Sequence, residues 1–283
     1  MMVLLAAAWS QSMGRVVEGL SVQSQKLGKA VNYSIYLPPG YDQSLQSYPV
    51  VYLLHGYTDD QTAWVQFGQI NLAVDAAIAA RELPPMIIVM PDGGVSFYTN
   101  SYDGKQPYED MFVSEFMPAV ERQYRIRAKK EFRGITGLSM GGYGTLLYAL
   151  RHPDLFAACA PLSAAVWDDE DALKADQATW DRVFAQPWGT GLAGEARLTE
   201  HWKATNPFHL AKTKGADSLK KVRYYFDCGD DDFLLAGNAK FMILMREMQV
   251  PSEFRFRDGA HTWEYWRTGI VDALKFIGES FHR

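Results

Sequence analysis

Gly137-Leu138-Ser139-Met140-Gly141 lies between a short apolar run at residues 132–138 and a segment rich in small residues at 141–151. The quintet has the form G-x-S-x-G. Between a strand and a helix, this pattern predicts a sharp turn that exposes the serine hydroxyl, with glycines where larger side chains would clash. The free N–H groups at the start of the helix would then face a developing oxyanion. Ser139 is therefore the candidate nucleophile.

The segments around this motif alternate between strand-like and helix-like patterns. Residues 31–37 alternate apolar and polar side chains and, with residues 16–22, predict an antiparallel hairpin. Further strands, most of them the continuous apolar runs that suit a sheet buried on both faces, are predicted at 50–54, 86–90, 132–138, 156–162, 222–226 and 253–256. Helical patterns lie between them at 71–80, 108–124, 141–151 and 238–248. This order predicts an α/β fold with a mostly parallel central sheet flanked by helices.

Residues 164–215 interrupt the alternation. They contain four tryptophans, begin with an acidic run at 168–171, and show no clear strand pattern. We interpret them as a helical insertion over the active site, within a single domain that spans 15–283. Trp167 and Trp188 are candidate substrate contacts in an apolar pocket of this insertion. The alternative role of its tryptophans is to pack the insertion onto the body of the domain.

A serine hydroxyl is a weak nucleophile near neutral pH and needs a base, which a carboxylate orients. In this architecture the order along the chain is serine, acid, histidine. His261 follows the last predicted strand and is the candidate base, whereas His282 lies one residue from the end of the chain. The acid should follow the preceding strand, and spacing does not choose among the four aspartates there, Asp227, Asp230, Asp231 and Asp232.

Two backbone N–H groups are expected to form the oxyanion hole. One belongs to Met140, the residue after the nucleophile. The other should come from the loop after the strand at 50–54, where Leu54-His55-Gly56-Tyr57 makes the Tyr57 N–H the candidate. We interpret His55 as a structural hydrogen-bonding residue that shapes this loop.

Composition and charge exclude several classes of protein. Apolar residues make up 48% of the chain, which is enough for a sizeable core, and the net charge is 28 − 33 = −5. An acidic chain without a basic run is a poor nucleic-acid binder, and no apolar stretch approaches the ~20 residues of a membrane span. Two cysteines are too few for a disulfide framework or a Cys-rich zinc site. We expect no cofactor and no metal, because residues 230–232 lack the spaced oxygen ligands of a calcium loop.

The first nine residues form a short apolar, alanine-rich run that precedes a polar Ser-Gln-Ser segment. The run resembles the apolar and cleavage regions of a signal peptide, although the basic leading segment is missing. It predicts a secreted or periplasmic protein in which residues 1–14 are the remnant of a signal peptide. The alternative is a cytoplasmic protein with a terminal tail or an extra strand.

Five motifs together resemble the esterase D-like branch of the α/β-hydrolases, which includes feruloyl esterases, acetyl xylan esterases and S-formylglutathione hydrolases. They are Tyr36-Leu37-Pro38-Pro39-Gly40-Tyr41, Leu54-His55-Gly56, Pro91-Asp92-Gly93, the segment 137–144 around Ser139, and Gly259-Ala260-His261-Thr262-Trp263. The resemblance runs from about Tyr33 to the C-terminus and implies an α/β-hydrolase fold. The family's acid stands third after a glycine, which selects Asp232 after Gly229. Asp230 stands where the family often has threonine, so Asp231 stays the runner-up.

The resemblance implies a serine carboxylic-ester hydrolase that forms an acyl-enzyme on feruloyl or acetyl esters of plant polysaccharide, so that its partner is a carbohydrate-linked ester. S-formylglutathione hydrolases typically carry a cysteine-bearing oxyanion loop and histidines around the nucleophile. Tyr57, Leu138 and Tyr143 stand at those places here. A thioesterase of that kind, an acyltransferase, and a catalytically inactive carbohydrate-binding relative are the alternatives. Trp263 joins Trp167 and Trp188 as a candidate substrate contact.

Overall fold

Eight strands form one central sheet in the computed structural model, which describes residues 13–282. The predicted N-terminal apolar run therefore lies outside the described residues. The strands are β1 (Arg15–Gln23), β2 (Ala30–Leu37), β3 (Val50–Leu54), β4 (Ile87–Pro91), β5 (Arg133–Leu138), β6 (Ala158–Leu162), β7 (Arg223–Gly229) and β8 (Ser252–Arg257). Each predicted strand is confirmed, with ends that shift by up to three residues.

The sheet is mostly parallel. Its strand order is β1-β2-β4-β3-β5-β6-β7-β8. The first two strands form the predicted antiparallel hairpin, β2 runs antiparallel to β4, and all further neighbours are parallel. The continuous apolar runs form the middle of the sheet because strands there are covered on both faces.

Helices cover both faces of the sheet. The α-helices are α1 (Ala63–Gln66), α2 (Ile70–Ala79), α3 (Tyr108–Met111), α4 (Met117–Gln123), α5 (Met140–Arg151), α6 (Asp169–Lys174), α7 (Gln177–Thr179), α8 (Ala185–Trp188), α9 (Glu200–Thr205), α10 (Pro207–Leu219), α11 (Leu235–Glu247) and α12 (Trp263–Gly278). Single π-helical turns at Phe112–Phe116 and Trp180–Phe184 join α3 to α4 and α7 to α8. None of the helices within residues 13–282 combines the length and apolar character that crossing a bilayer requires.

The core consists of two apolar layers, one on each face of the sheet. Successive side chains of β3 alternate between them: Val50 and Tyr52 belong to one layer, and Val51 and Leu53 belong to the other. Helix α5 packs in the first layer, whereas α12 packs in the second. The strand pattern thus fixes which helix covers which face.

Helix α12 is absent from the sequence prediction. Its apolar positions, among them Trp266, Ile270, Leu274 and Ile277, are buried against the sheet. Their spacing of three or four residues is that of an amphipathic helix, so the sequence does carry a signal for this element.

The parallel strands β3, β5, β7 and β8 all end at one edge of the sheet. In parallel α/β sheets, the loops beyond the carboxyl ends of the strands form the ligand site. The residues predicted for catalysis all lie in the loops after these four strands. Both cysteines are buried and free, so no bridge shapes this edge.

Candidate active site

The turn between β5 and α5 holds Ser139 in a strained conformation. Its backbone has φ 55° and ψ −116°, which lies outside the regions that L-residues ordinarily adopt. The turn is fixed from both sides, because Ser139 N–H donates to Leu162 O (2.9 Å) and Ser139 O accepts from Ala165 N–H (2.9 Å). Gly141 follows because a Cβ there would lie 2.5 Å from Leu54 O. The motif therefore brings α5 against β3 and leaves the serine side chain at the edge.

His261 and Asp232 complete a chain of hydrogen bonds with Ser139. The Ser139 Oγ lies 2.9 Å from His261 Nε2, and His261 Nδ1 lies 2.8 Å from Asp232 Oδ2. The acid and histidine loops approach closely, since a Cβ at Gly229 would clash with the carbonyl oxygen of Gly259. The structure thus brings together three predicted residues from loops after three different strands.

The charge state of Asp232 sets the tautomer of His261. Burial alone would raise the pKa of the Asp232 carboxyl, but hydrogen bonds from His261 and from the Leu234 N–H hold it below its ordinary value. The carboxylate is therefore ionised at neutral pH and accepts the proton on Nδ1. The unprotonated Nε2 then faces the serine hydroxyl, which is the arrangement that a general base requires.

Asp227, the first of the four candidate aspartates, belongs to a different network. It lies at the end of β7, as predicted, and is 1% exposed. Its carboxylate accepts hydrogen bonds from Arg257 Nε (2.9 Å), Tyr225 Oη (3.3 Å) and Tyr265 Oη. These donors join β7, β8 and α12, so this carboxylate has a structural environment and does not contact His261.

The two expected oxyanion donors lie beside Ser139. Met140 is the first residue of α5, and Tyr57 lies in the loop after β3; both line the cavity that contains Ser139. Within residues 13–282, neither backbone N–H donates to a protein acceptor. Free N–H groups at a helix start and in a neighbouring loop can both bind an oxyanion.

His55 holds the loop that carries the Tyr57 N–H. Its Nε2 accepts a hydrogen bond from Gly93 N–H (2.8 Å), so the proton lies on Nδ1, which donates to Gly56 O (2.8 Å). No peptide bond within the described chain is cis, so the Tyr57 N–H points away from the carbonyl that His55 holds. This geometry agrees with a structural role for His55.

An apolar cavity of about 560 Å³ opens beside Ser139. Its walls come from Phe97 and from the insertion, which contributes the predicted residue Trp167 as well as Val183 and Phe184. Lys174 and Arg182 lie along the same cavity. The insertion therefore covers the nucleophile and supplies most of an apolar wall, which suits a flat or branched acyl group.

The structure places Trp167 on the wall of this cavity, but not the other two predicted tryptophans. Trp188 packs its ring on Phe97 (5.0 Å between centroids), and its Nε1 donates to Thr205 Oγ1. Trp263 packs against Trp64 at the start of α12. Both rings pack between elements. Their ring partners, Phe97 and Trp64, come from segments that sequence alone does not bring together.

Phe97, Phe184 and Phe233 contact the cavity but are missing from the sequence prediction. Phe97 has φ 53°, a conformation that nothing in its sequence context signals. Phe233 follows Asp232 directly and is 75% exposed. Aromatic residues are common in cores, so only the three-dimensional arrangement shows which of them border the cavity.

Comparisons with known proteins agree with this geometry. The sequence model of the family described as "Putative esterase" matches residues 24–277. An endo-1,4-beta-xylanase/feruloyl esterase of Xylanibacter ruminicola is 31% identical over 162 residues, which cover 55% of this chain and 22% of that protein. Esterase Rv1288 of Mycobacterium tuberculosis is 27% identical over 85% of this chain and 54% of its own length. The chain thus spans about a fifth and about half of these two relatives.

A solved structure of a ferulic acid esterase superposes with a TM-score of 0.80 and 31% identity, and covers 95% of this chain and 100% of that one. This neighbour and the strand order confirm the predicted α/β-hydrolase fold.

Proposed function

The chain belongs to the esterase family, and on that premise we propose that it is a serine carboxylic-ester hydrolase that forms an acyl-enzyme. The observation that carries the proposal is the hydrogen-bonded chain from Ser139 Oγ through His261 to Asp232, with 2.9 and 2.8 Å between its atoms. It ends beside an apolar cavity of about 560 Å³. No cofactor enters the reaction.

In the first half of the proposed reaction, Ser139 Oγ attacks the ester carbonyl while His261 Nε2 takes its proton. Asp232 stabilises the imidazolium that forms. The carbonyl oxygen becomes an oxyanion and accepts hydrogen bonds from the N–H groups of Tyr57 and Met140. When the intermediate collapses, the bond to the alcohol oxygen breaks, that oxygen takes the proton from Nε2, and the acyl group stays on Ser139.

In the second half, water replaces the alcohol. His261 Nε2 takes a proton from the water, whose oxygen attacks the acyl carbonyl, and the same two N–H groups bind the second oxyanion. Collapse of this intermediate returns the proton to Ser139 Oγ and releases the carboxylic acid. Each group therefore ends in its starting state.

The proposed substrates are feruloyl or acetyl esters of plant polysaccharide. Support comes from the relatives whose printed names include feruloyl esterase and ferulic acid esterase. The aromatic walls from Phe97, Trp167 and Phe184 suit a flat phenolic acyl group, and the cavity is much larger than an acetyl group needs. We therefore expect feruloyl esters to be preferred over acetyl esters.

A panel of methyl ferulate, acetylated xylan, a short p-nitrophenyl ester and S-formylglutathione tests this function. We expect the highest kcat/KM with the feruloyl ester. Ser139→Ala should lower kcat by about 10⁶-fold. Ser114→Ala removes an exposed hydroxyl from the helical segment at 108–123 and should keep wild-type kcat.

Three outcomes would overturn parts of this proposal. A Ser139→Ala variant with even a tenth of wild-type activity would remove Ser139 from its role. Preference for S-formylglutathione would assign the chain to the thioesterase alternative. Preferential transfer of the acyl group to an added alcohol, measured by product analysis, would make it an acyltransferase.

A further inference from the structure

An exposed phenylalanine lies against the histidine of the active site. Phe233 is 75% exposed, and its ring centroid lies 4.6 Å from that of His261, with the two planes tilted by 53°. The same residue lines the cavity beside Ser139. Single exposed apolar residues are ordinary on protein surfaces, so its place beside the reacting atoms matters more than its exposure.

The proposed reaction places the alcohol of the ester on the side of His261. The Nε2 atom returns its proton to the alcohol oxygen, so this oxygen must come within hydrogen-bond reach, about 3 Å, of Nε2 when the carbon–oxygen bond breaks. The acyl group has the aromatic wall of the cavity available, where Phe97, Trp167 and Phe184 pack on one another. The two parts of the ester thus diverge at the carbonyl carbon.

Phe233 is the open aromatic surface on that side. The other ring that packs on His261 is Trp266, which is 5% exposed and meets the imidazole edge-on at 4.7 Å. Asp232 occupies Nδ1, and Ser139 occupies Nε2. Among the residues that the structure describes, Phe233 is therefore the ring that contacts His261 and still has most of its surface free.

The loops that carry Asp232 and His261 also carry exposed carboxylates. Asp230 and Asp231 immediately precede Asp232 and, with Asp258, place carboxylate oxygens within 4.8 Å of one another at an exposed position. These oxygens can accept hydrogen bonds from hydroxyl groups. Their negative charge disfavours a leaving group that itself carries carboxylates, such as glutathione, near these loops, because like charges repel.

We propose that Phe233 is the platform on which the alcohol part of the substrate rests, and that this alcohol is a sugar ring. A sugar presents a flat array of C–H groups to an aromatic face, and its hydroxyl groups can donate to the carboxylates of the two loops. Phe233 is then a specificity-determining residue. This inference rests on the proposed esterase function, which it extends from the acyl group to the alcohol.

Two esters with one acyl group and different alcohols test the inference. Methyl ferulate carries a small alcohol, whereas a xylo-oligosaccharide with feruloylated arabinose carries the sugar. In Phe233→Ala, we expect the ratio of kcat/KM for the sugar ester to that for the methyl ester to fall about tenfold, the effect of losing one aromatic contact. In Phe233→Leu, which keeps an apolar side chain without a flat ring, the ratio should fall by a similar factor. In Phe233→Tyr, which keeps the ring, the ratio should stay at the wild-type value.

Phe256→Ala is the matched control, since Phe256 is an exposed phenylalanine on β8 that is not part of the cavity wall. It should leave both values of kcat/KM unchanged. If kcat/KM falls equally for both esters in Phe233→Ala, the ring only positions His261. If kcat/KM stays unchanged for both esters, the ring does not contact the sugar. Either result overturns the inference and leaves the esterase function standing. A wild-type protein that hydrolyses neither ester would instead overturn the function.

Discussion

Asp227 and Asp232 lie five residues apart and are both buried, yet their surroundings differ completely. Asp227 accepts from a guanidinium and two phenols, whereas Asp232 accepts from an imidazole and a backbone N–H. A guanidinium keeps its proton throughout the physiological range, but an imidazole exchanges its proton near neutral pH. Burial does not separate the two carboxylates, but the donors that face them do, and these donors are the reason for proposing a structural role for Asp227 and a catalytic role for Asp232.

We expect the largest loss of activity from substitution of Asp232. In Asp232→Asn, the amide can donate to Nδ1, so the imidazole carries its proton on Nε2 and cannot accept one from Ser139. We expect kcat on methyl ferulate to fall by roughly 10⁴-fold, as for other triads, while the thermal midpoint changes little. Asp231→Asn is the control, because Asp231 is exposed and does not contact His261 in the structure. This substitution should lower kcat by less than tenfold. A larger loss in Asp231→Asn than in Asp232→Asn would exchange the two assignments.

Asp227 should show the opposite pattern. Asp227→Asn leaves Arg257 without its charged partner, and breaking a buried ion pair in this way costs about 3–5 kcal/mol. We expect a value near 3 kcal/mol, because the Arg257 side chain is 30% exposed and still reaches water. Urea unfolding measures this loss, and kcat of the folded fraction should stay within about tenfold of wild type. A stable variant that has lost catalysis would contradict the division of roles.

His55 is a third buried polar group, and its side chain bonds to Gly56 and Gly93 and not to Ser139 or His261. His55→Phe removes the shorter of the two hydrogen bonds to Gly56 O and leaves the 3.3 Å bond from the Asp59 N–H, so the direction of the Tyr57 N–H is held less firmly. Losing one oxyanion donor lowers kcat by about 10²–10³-fold. Because the donor in His55→Phe is displaced and not lost, we expect kcat to fall by about 10²-fold with KM nearly unchanged. A rise in KM at constant kcat would show that His55 shapes substrate binding instead.

The smallest expected effect concerns acid stability. The pKa of Asp232 is lower in the folded protein than its ordinary value, so its ionised form stabilises the fold above pH ~3.9, the usual aspartate pKa. That stabilisation is lost as the pH falls through the lower, folded-state pKa. We expect the free energy of unfolding to decline less steeply below pH ~4 in Asp232→Asn than in wild type. Equal slopes in urea titrations between pH 2 and 5 would contradict this expectation.

The sequence predicted the fold well because apolar runs and helical spacing report directly on burial. Ser139, His261 and the loop of Tyr57 followed from a motif and from chain order. Spacing alone left four aspartates open; the family pattern favoured Asp232, which is the one that contacts His261 in the structure.

The parts of the site that the sequence did not predict depend on packing between distant segments. Trp188 and Trp263 are aromatic, but the rings they pack against, Phe97 and Trp64, are far away in sequence. Helix α12 differs, since its apolar spacing was visible in the sequence. The wall from Phe97 and Phe184 could be found only from coordinates.

Covalent labelling with a fluorophosphonate tests whether Ser139 is a nucleophile that His261 and Asp232 activate. The reagent reacts with a serine that a neighbouring base has activated. We predict one adduct per chain by intact-protein mass, mapped to Ser139 by peptide sequencing, with none in Ser139→Ala and much slower formation in Asp232→Asn. Stoichiometric labelling of Ser139→Ala, or an adduct on any other residue of the wild-type chain, would contradict the account.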